Sequence, residues 1–410
     1  MSTLIAIAWR NLWRHKRRSL ITATAMAVAV AMCMSLIAFT DGMYGKMFEI
    51  MVDQQLGHVQ IHHPDYPGTR QLLDTIPEAE ATIAHIEKAQ GAVGATGRLN
   101  GFALLGGSKK STGAQLQGLE PGRELPLTHV DDRIVEGRYL AAEPAREIVI
   151  GIGLAEELEL GVGDEVVGFT QSADGSLGNE LYTVVGLSST GNAAMDKGGA
   201  WVHLADLQEL LVLPDQVHSI MVLSEDADDL PAFVGALKPQ VPEGIEVQTW
   251  SEASPQTAEL MGMQSFASLF MLGIVFAVAS FGVLNTMMMS VFERTRELGV
   301  LKAIGLRPRQ MVAMVLWESV FLAALAGGIG LVIGGLLDVL VVYVGFDMSA
   351  GSPDGFEIMG VRLDPIIYGE VTPFSLFAPI SALVVVSVLA SVWPAWRAAR
   401  LQPVEAIRTE

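Results

Sequence analysis

Four stretches of this sequence are apolar for long enough to cross a lipid bilayer as helices. A hydrocarbon core of about 30 Å requires about 20 helical residues at about 1.5 Å per residue. We therefore predict an integral membrane protein with four transmembrane helices, one followed after a long interval by three. The predicted spans are residues 19–40, 264–292, 312–337 and 374–396.

The first stretch follows a basic segment, so it could also be a cleaved secretory signal. Such a signal has an apolar part of about 7 to 15 residues and a small-residue cleavage site. The apolar part here is longer, and no A-x-A sequence lies directly before Asp41, where the apolar stretch ends. We expect an uncleaved signal anchor. For every stretch the alternative is a buried helix of a soluble core, but half of the residues (50%) are hydrophobic, which is high for a soluble chain.

Lysine and arginine concentrate on one side of the four stretches. Cytoplasmic flanks of membrane proteins retain these residues, whereas translocated flanks do not. We therefore expect residues 1–18, 293–311 and 397–410 to lie in the cytoplasm. The bases in these segments include Arg10, Arg14, Lys16, Arg17, Arg18, Arg294, Arg296, Lys302, Arg307, Arg309, Arg397, Arg400 and Arg408.

The other connecting segments, 41–263 and 338–373, carry most of the acidic residues, and we expect them on the extracytoplasmic side. In the shorter one, Arg362 is the single base. The acids there are Asp338, Asp347, Asp354, Glu357, Asp364 and Glu370. The whole chain has 45 acids against 26 bases, for a net charge of -19. A nucleic-acid partner is excluded on this ground, because binding phosphates requires a concentrated basic surface.

The segment 41–263 is long enough for one or two compact domains. Short apolar or alternating runs predict strands, and runs with helical periodicity predict helices, so we expect an α+β domain with two lobes. Its last part, 249–264, should be a helix that continues into the second span as a stalk. The predicted strands are 58–62, 102–105, 147–150, 165–169, 181–187, 200–203 and 219–223, and the predicted helices are 76–88, 153–158, 204–210 and 229–237.

Several kinds of chemistry find no support in the sequence. The segment 106–112 is rich in Gly and Lys but lacks the spacing of a phosphate-binding loop, and we interpret it as a solvated turn. His58, His62 and His63 resemble a metal cluster, but no carboxylate completes the site. Cys33 is the single cysteine, so no disulfide is possible within the chain. We predict no catalytic residue, no metal and no cofactor, and a membrane enzyme is the remaining alternative.

Polar and small residues inside the predicted spans favour helix packing. Ala326, Gly330 and Gly334 recur every four residues on the third span, which lets another helix approach closely. Glu318 is an acid within that span and must face protein or water, because a charge facing lipid is costly. Two roles are consistent with the sequence of Glu318 and its span: a structural hydrogen bond and a step in a proton relay. For Asn285 we expect an interhelical hydrogen bond.

Four segments resemble a known family of membrane proteins. Residues 291–305 read VFERTRELGVLKAIG and resemble the V-x-E-R-x-R-E-[IL]-G-[IV]-x-[KR]-A-[IL]-G motif of ABC permeases in the macrolide-efflux, lipoprotein-releasing and cell-division superfamily. The closing residues 394–408 are similar to the family pattern P-x-x-x-A-A-x-x-x-P-[VI]-E-A-[IL]-R. Residues 10–14 match its R-N-L-x-R opening, and 137–164 is similar to its periplasmic core domain.

The resemblance implies a non-catalytic permease subunit of the bacterial inner membrane, with both termini in the cytoplasm and the main domain in the periplasm. Two copies, or this chain and a related one, would form a dimer over two copies of a separate ATPase subunit. The segment 293–311 would contain a coupling helix that binds the ATPase and moves the periplasmic domain. The residues expected to take part are Glu293, Arg294, Arg296, Glu297, Gly299, Lys302, Gly305, Arg307 and Arg309.

The resemblance also implies a cargo that does not pass through a polar pore. We favour release of lipoproteins from the outer leaflet to a periplasmic acceptor, because the chain has four spans and no fused ATPase. Export of drugs, peptides or other amphiphiles is one alternative. Signalling to cell-wall hydrolases without transport is another.

Overall fold

The computed structural model of the chain describes residues 2–14, 16–227, 229–349, 356–358, 361–363, 365–400 and 402. The chain divides into two compact units, a helical unit (Met1–Gly45, Gly262–Gly351 and Ile366–Glu410) and an α+β unit (Lys46–Met261 and Ser352–Pro365). Residues 403–408 of the closing motif, with Arg408, lie outside the described residues, as do Asp354 and Asp364.

The helices are numbered in chain order. They are α1 (Ser2–Arg14), α2 (Lys16–Phe48), α3 (Tyr66–Thr69), α4 (Ala79–Ile86), α5 (Pro121–Thr128), α6 (Ile152–Leu158), α7 (Ala193–Gly198), α8 (Leu204–Leu211), α9 (Leu230–Leu237), α10 (Trp250–Ala253), α11 (Pro255–Glu293), α12 (Thr295–Ala303), α13 (Pro308–Tyr343) and α14 (Pro373–Ala399). Four of them, α2, α11, α13 and α14, are long and apolar enough to cross a membrane, and the main segment of the α+β unit, Lys46–Met261, lies in sequence between the first and the second. The predicted fold class, one plus three spans with an inserted α+β domain, is confirmed.

The strands are also numbered in chain order. They are β1 (Val59–His62), β2 (Ile76–Pro77), β3 (Ala92–Gly106), β4 (Ser111–Leu119), β5 (Ile134–Gly137), β6 (Glu147–Gly151), β7 (Glu165–Gln171), β8 (Leu177–Ser188), β9 (Gly199–His203), β10 (Gln216–Val217), β11 (Ser219–Ser224), β12 (Glu246–Thr249), β13 (Phe346–Asp347), β14 (Phe356–Ile358), β15 (Val361–Leu363) and β16 (Ile366–Ile367).

The helical unit packs its long helices around one apolar core. On α2 the side chains of Met26, Val30 and Met34 are buried at successive four-residue intervals, so they form one stripe along the helix. Side chains of α11, α13 and α14 complete the core, among them Val283, Leu322 and Leu383.

The small residues of α13 lie against α2. A Cβ atom on Gly330 would come within 2.9 Å of the Val30 side chain and 3.0 Å of the Ala27 carbonyl oxygen. One on Gly334 would lie 2.8 Å from Met34 Sδ. Ala326, one turn before Gly330, is fully buried in the same core. The two backbones therefore approach more closely than larger side chains on α13 would permit.

The prediction that Asp338 belongs to the acidic loop is wrong. Helix α13 continues to Tyr343, so Asp338 is helical, and it is buried. Its carboxylate accepts a hydrogen bond of 2.7 Å from the Ser35 hydroxyl of α2. Asp338 extends the four-residue spacing of Gly330 and Gly334 and therefore faces α2, where this hydroxyl is available.

Helix α1 was not predicted, because its bases were interpreted only as a cytoplasmic flank. It is amphipathic, with Ala8 and Leu12 buried one turn apart. The ring of Trp9 contacts Phe321 of α13 edge to face, with 5.3 Å between ring centroids. The four-residue spacing of apolar residues in this segment is the signal that predicts such a helix.

In the α+β unit the described residues form a 10-stranded sheet with the order β12-β1-β11-β3-β4-β9-β6-β8-β5, and β7 pairs with both β3 and β8. Strand β3 has 15 residues and belongs to both lobes. Its first half pairs with β11, and its second half pairs with β4. A core around Ile61, Ile83 and Val222 lies in one lobe, and a core around Leu116, Ile148 and Val202 lies in the other.

Most of the predicted strands and helices of this unit are confirmed, with two exceptions. The predicted helix 76–88 begins only at Ala79, because Glu78 has a left-handed backbone (φ 51°) and residues 76–77 pair with β10. The predicted stalk helix 249–264 is interrupted. Helix α10 is capped by the Thr249 side chain and ends at Ser254, and α11 then begins at Pro255, where proline is favoured at the start of a helix.

The close approach of α2 and α13 makes Gly330→Ala destabilising. We expect the free energy of unfolding to fall by about 1 to 3 kcal/mol, the usual cost of overpacking, because Val30 and the Ala27 carbonyl occupy the space of the new methyl group. Thermal unfolding of the purified protein in detergent measures this. Gly335→Ala is the control, since a Cβ there meets nothing within 4 Å among the described residues. Equal melting temperatures of the two variants would contradict the close packing of α13 against α2.

Candidate functional site

Helix α12 is a nine-residue helix between α11 and α13. The chain leaves α11 at Glu293, and Arg294 adopts a non-helical backbone (φ -108°, ψ 13°) before α12 begins. The helix ends in a Schellman motif, in which the Leu306 amide donates to the Leu301 carbonyl (3.1 Å) and the Gly305 amide donates to the Lys302 carbonyl (3.1 Å). Gly305 has φ 105°, a conformation that favours glycine.

Arg294 forms a buried ion pair with Glu318. Its Nη1 lies 2.9 Å from Glu318 Oε1, and both side chains are less than a tenth exposed (9% and 8%). The same carboxylate oxygen accepts a hydrogen bond of 2.5 Å from Asn11 Nδ2. Residues from α1, from the start of α12 and from α13 therefore meet at one carboxylate.

Two further ion pairs surround this one. Arg14 of α1 contacts Glu297 of α12 at 2.6 Å, and Arg18 of α2 contacts Glu293 at the end of α11 at 2.8 Å. Glu297 also lies 3.4 Å from Arg294 Nε. These pairs are partly exposed, so each contributes at most about 1 kcal/mol. We call the seven residues the charge cluster: Asn11, Arg14, Arg18, Glu293, Arg294, Glu297 and Glu318.

The other end of α12 is held by α14. Lys302 Nζ donates a hydrogen bond of 2.9 Å to the Ala399 carbonyl, one of the last carbonyls of α14, where a cation is favoured by the helix dipole. Leu298 and Gly299 are buried, and Leu298 packs in an apolar cluster with Ala8, Met311 and Ala395. One side of α12 is thus fixed within the helical unit.

The opposite side of α12 is exposed. Arg296, Val300 and Ile304 follow one another at four-residue intervals, and Ile304 is 79% exposed. Arg307 and Arg309, which follow the helix, are exposed as well. None of these three arginines forms an ion pair within the described residues. We call Arg296, Val300, Ile304, Arg307 and Arg309 the outer face.

Of the nine residues predicted to couple this chain to a partner, Gly299 is buried, Lys302 bonds α14 and Gly305 ends the helix, and the six charged residues that remain fall into two groups. Glu293, Arg294 and Glu297 form ion pairs within the chain, and Arg296, Arg307 and Arg309 point outward. Asn11, Arg14 and Arg18 also belong to this site, which the local sequence pattern does not predict, although Asn11 and Arg14 lie in the R-N-L-x-R opening motif.

Asn285 does not form the expected interhelical hydrogen bond in the part of the chain that the structure describes. It is exposed, because it lies about 200° around α11 from the buried Val283 at 100° per residue. Its neighbour Thr286 makes such a contact instead, with 3.1 Å between its hydroxyl oxygen and that of Thr22 on α2.

The other candidate motifs have local roles. His62 Nε2 lies 3.2 Å from Gln248 Oε1, and His58 Nδ1 accepts a hydrogen bond from the Ser224 amide. Among the described residues, no group of three His, Cys, Asp or Glu side chains could hold a metal ion. Residues 107–110 form the turn of the β3–β4 hairpin, with Lys109 and Lys110 paired to Glu159.

Comparison with known families matches nearly the whole chain. The family described as "MacB-like periplasmic core domain" matches residues 19–240, and "FtsX-like permease C-terminal" matches residues 269–403. The first match alone covers more than half of the chain. The chain belongs to the family of the MacB-like periplasmic core domain. It is an ABC transporter permease subunit.

The individual relatives include proteins named for lipoprotein release and proteins named for macrolide export. The chain is similar to the lipoprotein-releasing system transmembrane protein LolC of Neisseria meningitidis, with 24% identity across 83% of this chain and 86% of that protein. It is also similar to the macrolide export ATP-binding/permease protein MacB of Syntrophobacter fumaroxidans, with 29% identity across 42% of this chain and 22% of that protein. The crystal structure of the periplasmic region of MacB from Actinobacillus actinomycetemcomitans has 13% identity and a TM-score of 0.37, and the match covers 50% of this chain and 94% of that structure.

The burial of the Arg294–Glu318 pair makes the loss of one partner more costly than the loss of both. Arg294→Met leaves the Glu318 carboxylate uncompensated, and we expect the free energy of unfolding to fall by about 3 to 5 kcal/mol. The double variant Arg294→Met/Glu318→Met should regain most of this, because no charge remains buried. Thermal unfolding in detergent compares the stability of the single variant with that of the double variant. A double variant less stable than the single one would contradict the buried pair.

Proposed function

We propose that this permease couples ATP hydrolysis by a separate ATPase subunit to movement of its α+β domain. The observation that carries the proposal is the arrangement of α12, which is fixed on one side by the charge cluster and exposes Arg296, Val300 and Ile304 on the other. The outer face would enter a groove of the ATPase. Two permease copies, or this chain and a related one, would bind two ATPase subunits.

The proposal requires one orientation in the membrane. Both termini and α12 lie in the cytoplasm, and the α+β domain lies in the periplasm of a bacterial inner membrane. The flanking bases support this sidedness, since Lys and Arg concentrate on one side of the spans. The helices α2 and α11 enter and leave the α+β domain in sequence, so they would carry the movement between the two units.

The cargo that fits the proposed function best is a lipoprotein, released from the outer leaflet of the inner membrane to a periplasmic acceptor. The similarity to the lipoprotein-releasing protein of Neisseria meningitidis supports this cargo, because it covers 83% of this chain and 86% of that protein. Export of amphiphiles is the second candidate, favoured by the shorter match to a macrolide exporter. Signalling to cell-wall hydrolases remains the third.

Disruption of the outer face should prevent binding of the ATPase. We expect Ile304→Asp to weaken the affinity for the purified ATPase at least about tenfold, because a buried unpaired carboxylate would replace an apolar anchor. Binding is measured with the permease in lipid nanodiscs and the labelled ATPase. Val135→Asp is the matched control, because Val135 is also exposed (62%) but lies on β5 of the α+β unit. Equal affinity of both variants would exclude the outer face as the binding surface.

Depletion of the permease in its native cells should leave lipoproteins in the inner membrane. Fractionation of the membranes followed by mass spectrometry measures the distribution of lipid-modified proteins. An unchanged distribution together with increased sensitivity to amphiphilic drugs would favour export. An unchanged distribution with defective cell separation would favour signalling.

A further inference from the structure

Helix α1 contributes to the site without contributing to the outer face. Its Asn11 reaches the buried carboxylate of Glu318 on α13, and its Arg14 reaches Glu297 on α12. The indole of Trp9 packs on Phe321, which lies less than one turn from Glu318 along α13. Helix α1 is therefore connected to both the helix proposed to receive the partner and the transmembrane helix that follows it.

The bond between Asn11 and Glu318 has a specific geometric effect. Arg294 Nη1 and Asn11 Nδ2 both donate to Oε1 of Glu318, at 2.9 Å and 2.5 Å. A carboxylate that accepts two fixed donors has less freedom to change rotamer than one that accepts a single donor. Asn11 thus holds the carboxylate in the orientation that binds Arg294, the residue directly before α12.

We propose that Asn11 is a positioning residue for coupling, and that it locks Glu318 onto Arg294 so that α1, α12 and α13 move as one body. This inference rests on the proposed function, since it explains how a displacement of α12 by the ATPase reaches the membrane. Without the lock, α12 tilts against α13 when the ATPase moves it, and the displacement is lost in the loop 304–307. ATP is then hydrolysed with little movement of the α+β domain.

A charge-conserving exchange tests the lock. Asn11→Asp adds a second carboxylate beside Glu318, and Glu318→Gln leaves Arg294 without its anion. The double variant Asn11→Asp/Glu318→Gln restores one carboxylate, one amide and one guanidinium at the same three positions. Both changes keep the size of the side chain, so packing with Trp9 and Phe321 is retained.

The readout is the movement of the α+β domain per ATP hydrolysed. The complex of permease and ATPase is reconstituted in lipid nanodiscs, with an environment-sensitive fluorophore on a cysteine introduced at the exposed Glu243. The ATP-dependent change in fluorescence is divided by the ATPase rate of the same sample. We expect each single variant to reduce this ratio about tenfold, a size typical of residues coupled in one network, and the double variant to recover most of it.

One control and three contrary outcomes separate the possible results. The affinity for the ATPase should remain that of the wild type, because the outer face is unchanged. A wild-type permease that fails to bind the ATPase, or shows no ATP-dependent change, would overturn the proposed function itself. A wild-type permease that responds, beside single variants with the same ratio, would overturn the lock alone. Single variants with lower melting temperatures but a wild-type ratio per bound complex would show a merely structural role and would also overturn it.

Discussion

A carboxylate inside a bundle of membrane helices requires a cation or donors close by, and Glu318 obtains both from outside its own helix. Burying an unpaired charge at such a depth is costly, so the pairing with Arg294 constrains the neighbouring chain. Arg294 directly precedes α12 and has a non-helical backbone, and its position sets where α12 starts and how it is rotated. This ion pair fixes the start of α12, and Lys302 and Leu298 fix the rest of the helix, so the direction of the outer face follows from all three anchors.

Helix α13 is fixed at both ends by polar contacts and in between by close packing. Glu318 binds residues from α1 and from the start of α12, and Asp338, about five and a half turns later at 3.6 residues per turn, accepts a hydrogen bond from Ser35 of α2. Between them, Gly330 and Gly334 bring the backbones of α2 and α13 together. Any rotation of α13 about its axis would break the contacts at one end or cause clashes in the middle. A helix held in this way transmits a displacement better than it absorbs one.

The sequence predicted features that depend on local composition and missed those that depend on distant pairing. The four spans follow from apolar length, and strands such as β6 and β9 follow from short apolar runs. The pair Arg294–Glu318 joins residues 24 positions apart, and Asn11 joins Glu318 across 307 positions, which no local pattern reveals. The acidic charge of Asp338 favours a loop, whereas the four-residue spacing that it shares with Gly334 correctly favours helix α13. Helix α1 was missed for the related reason that basic residues were taken as topological signals alone.

The charged residues just before and within α12 include acids as well as bases. Membrane orientation alone would explain only the bases. In the proposed orientation this segment is cytoplasmic, and Lys and Arg alone suffice for that orientation, so the acids require another explanation. Glu293 and Glu297 pair with Arg18 and Arg14 of the chain itself, which removes them from the set of groups available to a partner. The outer face that remains is apolar at Val300 and Ile304 and basic at Arg296, Arg307 and Arg309. A groove that receives α12 must therefore be apolar at its floor and acidic at its rim, and a partner with a basic rim would be repelled.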